Sequence, residues 1–264
     1  MSLKIKNLTV RFGGQTAVDD VSLDVPAGQI TGLVGPNGSG KSTVMNAATG
    51  VLVPDRGSIH IKDKLLHPGR PGDTARAGLG RTFQIPRLAR RLTVFQNLLA
   101  GARDQPGEQL FSLFFRPRRV ADAERSIEKR AHAILKRIGL AAKLNTLAGE
   151  LSGGQQKLLT MGMLLMSDCK VLLLDEPAAG VNPALIEEQI LLLQSLRDEG
   201  RAILLVEHNM GMISRLCDSV CVLDSGIKIA HGDPETVQRD PRVIASYLSM
   251  QPEQAPAKSQ EAHQ

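Results

Sequence analysis

The sequence predicts an α/β fold, in which a parallel sheet with helices is joined to an N-terminal antiparallel β subdomain and interrupted by a helical lobe. Two continuous apolar runs, residues 171–174 and 202–206, are typical of parallel strands that are buried on both faces. Residues 3–12 and 21–25 instead alternate between apolar and polar, which indicates antiparallel strands with one solvated face. Residues from about 85 to 160 carry helical patterns, so we expect them to form the inserted lobe, in which Thr93 and Gln96 fit a capping box that opens a helix. In the core we expect a loop over residues 68–80, a strand over residues 79–84, and a helix from about Pro183 to Asp198 with Asn182 as its N-cap.

The composition favours a protein of the cell interior. Hydrophobic residues make up 42% of the chain, yet no stretch reaches the roughly 20 apolar residues that a membrane-spanning helix requires. The N-terminus alternates like a strand and lacks the features of a secretory signal. The three cysteines have no histidine nearby at zinc-ligand spacing, so we expect buried, reduced thiols. These features predict a cytoplasmic location.

Residues 35–42, with the sequence GPNGSGKS, fit the pattern G-x-x-x-x-G-K-[ST] of a loop that wraps nucleotide phosphates. A strand pattern precedes the loop and a helix pattern follows it, so the phosphate would lie at a helix N-terminus with free N–H groups. We expect Lys41 to reach the β- and γ-phosphates and the Ser42 hydroxyl to ligate Mg²⁺. The predicted phosphate-binding residues are Gly35, Pro36, Asn37, Gly38, Ser39, Gly40, Lys41, Ser42 and Thr43.

Polar residues follow the predicted strands at the sheet edge where ligands bind in parallel sheets. Asp175 ends the first buried run, where a carboxylate suits Mg²⁺, while the adjacent Glu176 could polarise an attacking water. His208 follows the second buried run, although a lone histidine is often structural. Gln84 ends a strand pattern that enters the helical lobe, and it could reach the phosphates while linking the two parts.

The segment LSGGQ, residues 151–155, precedes a helical pattern. The Ser152 hydroxyl and the amides of Gly153 and Gly154 at a helix N-terminus could form an anion site that uses no lysine. Ser152 and Gln155 also fit a capping box, which is a purely structural interpretation. Both interpretations stay open at this point.

Residues 81–137 contain 13 Lys and Arg against 5 Asp and Glu, a net charge of +8 in a chain of +5, so the remainder carries −3. Such a block could face anionic lipid, a membrane partner or nucleic acid, or it could be a solvated helical face.

We expect an irregular insertion at residues 101–120, in which three of the six phenylalanines precede Arg116, Arg118 and Arg119. One hypothesis is contact with a membrane surface; the alternative is that the phenylalanines cover the helix predicted over residues 121–138.

Taken in this order, the motifs resemble the ATPase subunits of ABC transporters over essentially the whole chain up to about Met250. The resemblance implies one ATPase domain over residues 1–250, with a core from 1–84 and 161–250 and a helical lobe from 85–160. Residues 251–264 are polar and contain two prolines, so we expect a disordered tail.

The resemblance also implies a role for each site residue. Phe12, which could equally be a core residue, would stack on adenine. Ser152, Gly153, Gly154 and Gln155 would contact the ATP that a partner subunit holds. Ser42, Gln84 and Asp175 would serve Mg²⁺, Glu176 would be the general base and His208 would sense the γ-phosphate.

Finer features, among them residues 81–84, 176–183 and 207–210, resemble the ATPases of branched-chain amino acid importers. This resemblance implies ATP and Mg²⁺ as cofactors and a peripheral place on the inner face of the cell membrane. The implied partners are a second ATPase subunit, either a copy or a paralogue, two membrane permease subunits and, indirectly, a solute-binding protein; nucleic acid is not expected. The alternatives are a soluble ABC-type ATPase acting on nucleic acid or ribosomes, an importer ATPase for another small solute, and a regulatory subunit without turnover.

Overall fold

The structure, a computed structural model, describes residues 1–103 and 117–248; of residues 117–120 and 248 only the backbone is described. The strands are β1 Leu3–Phe12, β2 Gln15–Val25, β3 Ile30–Val34, β4 Arg56–Ile61, β5 Lys64–Leu65, β6 Leu79–Arg81, β7 Val171–Asp175, β8 Ala202–Val206, β9 Ser219–Asp224 and β10 Ile227–Gly232. The α-helices are α1 Lys41–Ala48, α2 Pro71–Arg76, α3 Val94–Ala100, α4 Pro117–Arg137, α5 Gly153–Met166, α6 Pro183–Asp198, α7 Met210–Leu216, α8 Pro234–Gln238 and α9 Pro241–Leu248.

The central sheet has six strands in the order β10-β9-β3-β8-β7-β6. Its strands run parallel from β9 to β6, and only β10 pairs antiparallel, with β9. Every residue of β3 and β8 is buried, as the continuous apolar runs predicted. Because the strands are parallel, the carboxyl ends of β3, β7 and β8 meet at one edge of the sheet. The predicted α/β class is confirmed.

A second, antiparallel sheet has the order β2-β1-β4-β5 and confirms the predicted β subdomain. Its alternating pattern sends Leu3 and Ile5 inward, while Lys4 and Lys6 face solvent. The inward residues share one apolar cluster with Val44 and Met45 of α1 and with the central strands. Helix α1 is therefore enclosed between the two sheets, and this packing fixes the loop that precedes it.

The helical lobe consists of α3, α4 and α5, whose apolar faces form a cluster continuous with the central sheet. Helix α3 begins after Thr93, whose hydroxyl accepts from the Gln96 N–H in the predicted capping box. None of the helices in the described ranges is long and apolar enough to cross a bilayer.

The structure corrects three local predictions. The stretch 68–80, predicted as a loop, contains α2. Pro71 begins this helix, and an ion pair between Arg76 and Asp73 stabilises it. The helix has no apolar periodicity by which the sequence could have revealed it. The strand predicted over residues 79–84 ends at Arg81. The insertion predicted over residues 101–120 gives way to α4 at Pro117, four residues before the expected helix start. Residues 104–116 and 251–264, and with them the membrane-contact hypothesis and the disordered tail, lie outside the described residues.

All three cysteines are free and buried, as predicted. Burial raises the pKa of the Cys217 and Cys221 thiols to about 12. Because the thiolate is the reactive form, these two residues are chemically inert near neutral pH.

A chain of charges joins the helical lobe to the core. Arg130 of α4 lies 3.5 Å from Asp168, and Arg137 of the same helix lies 2.6 Å from Glu199. Arg201, whose side chain is almost fully buried, lies 3.8 Å from Asp168 and 3.5 Å from Glu199. Asp168 precedes β7 and Glu199 precedes β8. The ion pairs at these two residues therefore anchor α4 to the segments that enter the central sheet.

Gln189 of α6 is fully buried, and neither polar atom of its amide has a hydrogen-bond partner among the described residues. An unsatisfied buried polar group costs about 1–3 kcal/mol. We therefore expect Gln189→Leu to raise the free energy of unfolding by about 1–3 kcal/mol, measured by urea denaturation. Gln194→Leu, at a half-buried position of the same helix, is the control. A lowered unfolding midpoint for Gln189→Leu would show that the amide has a partner in solution.

Candidate nucleotide-binding site

A polar cleft of about 450 Å³ opens at the carboxyl ends of β3, β7 and β8. It brings together residues that the sequence placed far apart. Among the residues that line it are Asn37, Gly38, Gly40, Lys41, Ser42, Thr43, Gln84, Asp175, Glu176 and His208. Its remaining wall includes Gln15, Thr16 and Ala17 of β2 together with Ser225. No motif in the sequence marks these residues as part of a site, although those of β2 follow closely on Phe12 in the chain.

The loop between β3 and α1 requires glycine at two positions. Gly35 has φ +146°, and a Cβ atom there would lie 2.0 Å from the backbone oxygen of Leu223. Gly40 has φ +102°, and its Cβ would lie 2.7 Å from the backbone oxygen of Ala17. The loop can therefore pass between β9 and β2 only if these two positions carry no side chain. The backbone amides of the loop then lie next to the free N-terminus of α1.

Lys41 is buried at the first position of α1 and folds back into the loop. Its Nζ donates to the backbone oxygens of Gly35 at 2.8 Å and Pro36 at 2.7 Å. Burial lowers the pKa of Lys41 below its usual value, and the nearby Glu176 and Asp175 oppose that shift. The ammonium group is thus held at the cleft by its own loop.

Glu176 has φ +46°, a left-handed conformation that costs a non-glycine residue on the order of 1–3 kcal/mol. Its Oε2 accepts from Gln84 Nε2 at 2.9 Å, and its Oε1 lies 3.1 Å from His208 Nε2. Gln84 and His208, which were predicted at separate strand ends, therefore both contact the carboxylate of Glu176. Strained backbone held by convergent contacts is typical of a functional position.

Asp175, although adjacent, has different partners. Its Oδ2 accepts from an Arg81 amino group at 2.9 Å, and its N–H donates to Thr82 Oγ1 at 3.0 Å. A second amino group of Arg81 donates to Asn46 Oδ1 at 2.6 Å. Arg81 therefore orients the Asp175 side chain, a role that sequence analysis did not assign because the two residues lie far apart in the chain.

The donor set of the cleft fits Mg²⁺. The Ser42 hydroxyl, the Asp175 carboxylate and the Gln84 amide offer oxygen atoms of the kind that this hard cation prefers. In the described ranges no group of three or more His, Cys, Asp or Glu side chains could hold a metal ion unaided. A magnesium ion here would need phosphate oxygens for further ligands, as is usual at nucleotide sites.

The LSGGQ segment lies at the N-terminus of α5 and does not line the cleft. Ser152 Oγ accepts from the Gln155 N–H at 3.3 Å, and Gln155 Oε1 accepts from the Ser152 N–H at 3.1 Å. The capping box is thus confirmed. Ser152 and Gly153 are nevertheless exposed, and a Cβ at Gly153 would meet nothing within 4 Å, so this helix end is open to a ligand from outside the chain.

Phe12 lies at the end of β1 with 54% of its surface exposed, and it is not among the residues that line the cleft. It belongs neither to the core nor to the wall of the cleft. It is an exposed aromatic ring at the turn into β2, whose residues Gln15, Thr16 and Ala17 line the cleft.

A glycine-rich loop at a helix N-terminus, beside a carboxylate at the end of a parallel strand, defines a phosphate-loop nucleotide-binding protein. Comparison with known families narrows this class. The ABC transporter family matches residues 18–179, and a C-terminal family described as branched-chain amino acid ATP-binding cassette transporter matches residues 228–248. The chain belongs to the ABC transporter family, as its ATP-binding, ATP-hydrolysing component.

Relatives and solved structures agree with this membership. The chain is 39% identical over 248 residues to the high-affinity branched-chain amino acid transport ATP-binding protein LivG of Salmonella typhimurium, covering 93% of this chain and 97% of that protein. It is 36% identical over 248 residues to the corresponding protein BraF of Pseudomonas aeruginosa, with the same coverage. A crystal structure of a nucleotide-free ATP-binding cassette from an ABC transporter is similar with a TM-score of 0.80 and 35% identity, covering 94% of this chain and 99% of that one.

Proposed function

We propose that the chain is the ATP-hydrolysing motor subunit of a multi-subunit importer for branched-chain or related amino acids. The observation that carries the enzymatic part is the Glu176 carboxylate, held between Gln84 and His208 at the edge of the phosphate-loop cleft. The names of the relatives LivG and BraF support the solute class.

In this proposal the chain binds ATP through its phosphate loop. The loop amides and the N-terminus of α1 face the phosphates, and Lys41 exchanges its carbonyl partners for phosphate oxygens. Phe12, exposed at the end of β1, stacks on the adenine ring, and the residues of β2 form the wall between base and phosphates. Domain boundaries at about residues 84 and 160 place all of these groups in the core.

Ser42, Gln84 and Asp175 would hold Mg²⁺ together with the phosphates, and the ion would supply charge neutralisation during phosphoryl transfer. Arg81 holds the Asp175 carboxylate in its orientation through a hydrogen bond. Gln84 connects this site to the helical lobe, which begins directly after Gln84 in the chain.

Glu176 is the general base. It accepts a proton from a water molecule whose oxygen forms a bond to the γ-phosphorus, while the bond to the leaving β-phosphate oxygen breaks; the products are ADP and inorganic phosphate. His208 lies on the opposite side of the carboxylate from Gln84, where it senses the γ-phosphate. These two neighbours keep the base in place during the proton transfer.

The partners in this proposal are a second ATPase subunit, two membrane permease subunits and, through them, a solute-binding protein. The N-terminus of α5, residues 152–155, where Ser152 and Gly153 are exposed, contacts the ATP of the second subunit in a head-to-tail dimer. Phe83 and Ile85, which flank Gln84, leave 37% and 76% of their surfaces exposed, which supports a protein contact beside the cleft. The chain then lies at the inner face of the cell membrane.

Purification together with the membrane subunits tests the transport assignment. The chain is expected to co-purify with polytopic membrane proteins, and the assembly in proteoliposomes is expected to take up leucine, isoleucine or valine when ATP is supplied. ATPase activity with a soluble partner and no membrane subunit would favour a role on nucleic acid or ribosomes instead. Uptake of a different solute would correct the solute class only.

Ser152→Ala is expected to leave ATP affinity of the isolated monomer unchanged and to weaken ATP-dependent dimer formation. The reason is that the Ser152 hydroxyl lies outside the chain's own cleft, on an exposed helix end. Loss of the capping bond would also lower the free energy of unfolding by about 1 kcal/mol. Nucleotide titration and light scattering separate the two effects, and Thr93→Ala, which removes the comparable cap of α3, is the control. An equal loss of dimerisation in both variants would contradict the assignment.

A further inference from the structure

Lys157 lies on the first turns of α5, close to the LSGGQ segment, but its side chain extends away from that segment. Its Nζ donates to the backbone oxygen of Glu176 at 2.6 Å and to the backbone oxygen of Ala179 at 2.7 Å. Both bonds are charge-assisted and short. The ammonium thus joins helix α5 to the loop of residues 176–179, which carries the base.

A buried carboxylate holds the same loop from the other side. Glu207 is almost fully buried, and its Oε1 accepts from the Ala178 N–H at 2.6 Å while its Oε2 accepts from the His208 N–H at 3.2 Å. Burial lowers the pKa of Lys157, and the charges of Glu207, Glu176 and Asp175 oppose that shift. The ammonium of Lys157 therefore holds two backbone carbonyls of the loop, and the carboxylate of Glu207 holds the backbone amide of Ala178.

The N-terminus of α5 also packs directly on the segment that follows the base. A Cβ at Gly154 would lie 3.0 Å from Leu185 Cδ1 and 3.1 Å from Val181 Cγ1, so no side chain separates the helix from this segment. This contact is independent of the Lys157 hydrogen bonds. Through the hydrogen bonds and the packing contact together, the start of α5 is firmly attached to residues 176–185.

We propose that Lys157 is a positioning residue for hydrolysis: it holds the strained backbone of Glu176 and ties the base-bearing loop to the helix that presents Ser152. The inference rests on the proposed function, since it assigns the base to Glu176 and the partner's nucleotide to Ser152. A shift of α5 when a second subunit docks is then transmitted to the chain's own base. Within residues 1–103 and 117–248, the hydrogen bonds of the Lys157 side chain go to backbone oxygens of the loop 176–179 and not to the phosphate loop, so its replacement should leave the phosphate loop unaffected.

Two substitutions of Lys157 test this role. Lys157→Met keeps the length of the side chain but removes both bonds, and Lys157→Arg keeps the charge and the donors. In the assembled transporter we expect Lys157→Met to lower kcat for ATP by about 10–100-fold, because displacement of a reacting group by about 1 Å has effects of this size. The KM for ATP and the affinity of the monomer for ATP should stay within about threefold, and Lys157→Arg should recover most of kcat.

Hydrogen–deuterium exchange of the nucleotide-free monomer gives a readout that does not need activity. Lys157→Met should speed exchange of the amides of residues 176–182, while exchange in β3 and α1 stays unchanged. Lys170→Met, which removes an exposed lysine paired with Asp168, is the matched control for both measurements. If Lys157→Met does not fold, Lys157→Gln replaces it, because the shorter amide cannot span both carbonyls.

Several outcomes would overturn the inference: a kcat within threefold of the wild type, a Lys157→Arg protein as impaired as Lys157→Met, a parallel loss of ATP affinity, or unchanged exchange in residues 176–182. An inactive wild type and an inactive Lys170→Met control would instead refute the proposed function. The exchange experiment would still decide whether Lys157 holds the loop.

Discussion

Glu176→Gln is expected to lower ATP turnover by about 10²–10⁴-fold while leaving ATP affinity unchanged. The substitution preserves the size of the side chain and its hydrogen bond with Gln84, since an amide oxygen still accepts from Gln84 Nε2. It removes the capacity to take a proton from water, because an amide is not a base at neutral pH. Phosphate release at saturating ATP measures the first effect, and nucleotide titration measures the second.

The same variant is expected to accumulate as an ATP-bound dimer, because reopening of the dimer depends on hydrolysis. Light scattering with and without ATP detects this species. Glu128→Gln, at an exposed position of α4, is the control for loss of a carboxylate. Turnover near that of the wild type in Glu176→Gln would remove this residue from the role of base.

Lys41→Ala is expected to weaken ATP binding by about 10- to 100-fold. A hydrogen bond to a charged group contributes about 1.5–3 kcal/mol, and 1.4 kcal/mol corresponds to tenfold in affinity. The substitution also leaves the backbone oxygens of Gly35 and Pro36 without their cation. The phosphate loop should therefore loosen even without nucleotide.

Fluorescent-nucleotide titration of the monomer measures the affinity, and thermal unfolding without nucleotide measures the change in the loop. Ser152→Ala, outside the cleft, serves as the comparison. If both variants lost ATP affinity equally as monomers, the assignment of Lys41 to the chain's own nucleotide and of Ser152 to the partner's would be wrong.

The parts of the fold that sequence patterns predicted well are those that depend on local chemistry. Asn182 caps α6 and Pro183 begins it, and the predicted bounds of that helix are those observed, because caps act within one turn. The continuous apolar run 202–206 gave a central strand, since a strand buried on both faces has no polar positions. Gln84, Glu176 and His208 could be brought to one edge because parallel strands end together.

The parts that could not be predicted depend on contacts between distant segments. In the sequence Arg81 is one of many basic residues in the stretch 81–137, and Lys157 is a single lysine in the helix pattern after LSGGQ. Only the folded chain shows that Arg81 meets Asp175 and that Lys157 meets the loop of residues 176–179. Gln189 reads as a surface residue of a helix, yet tertiary packing buries it completely. Helix α2 carries so few apolar residues that no periodicity marks it.

The two arginines that anchor α4 lie seven residues apart, and therefore on the same side of the helix and about 10 Å apart along its axis. Two contacts on a line parallel to the helix axis leave rotation about that line as the rigid-body movement that breaks neither of them. Tilting the helix axis would break at least one contact, although both lie in the carboxyl-terminal half of the 21-residue helix. The Pro117 end, about 20 Å from the nearer contact, therefore cannot swing away from the core while both ion pairs hold, and the movement left to α4 is a rotation along its length.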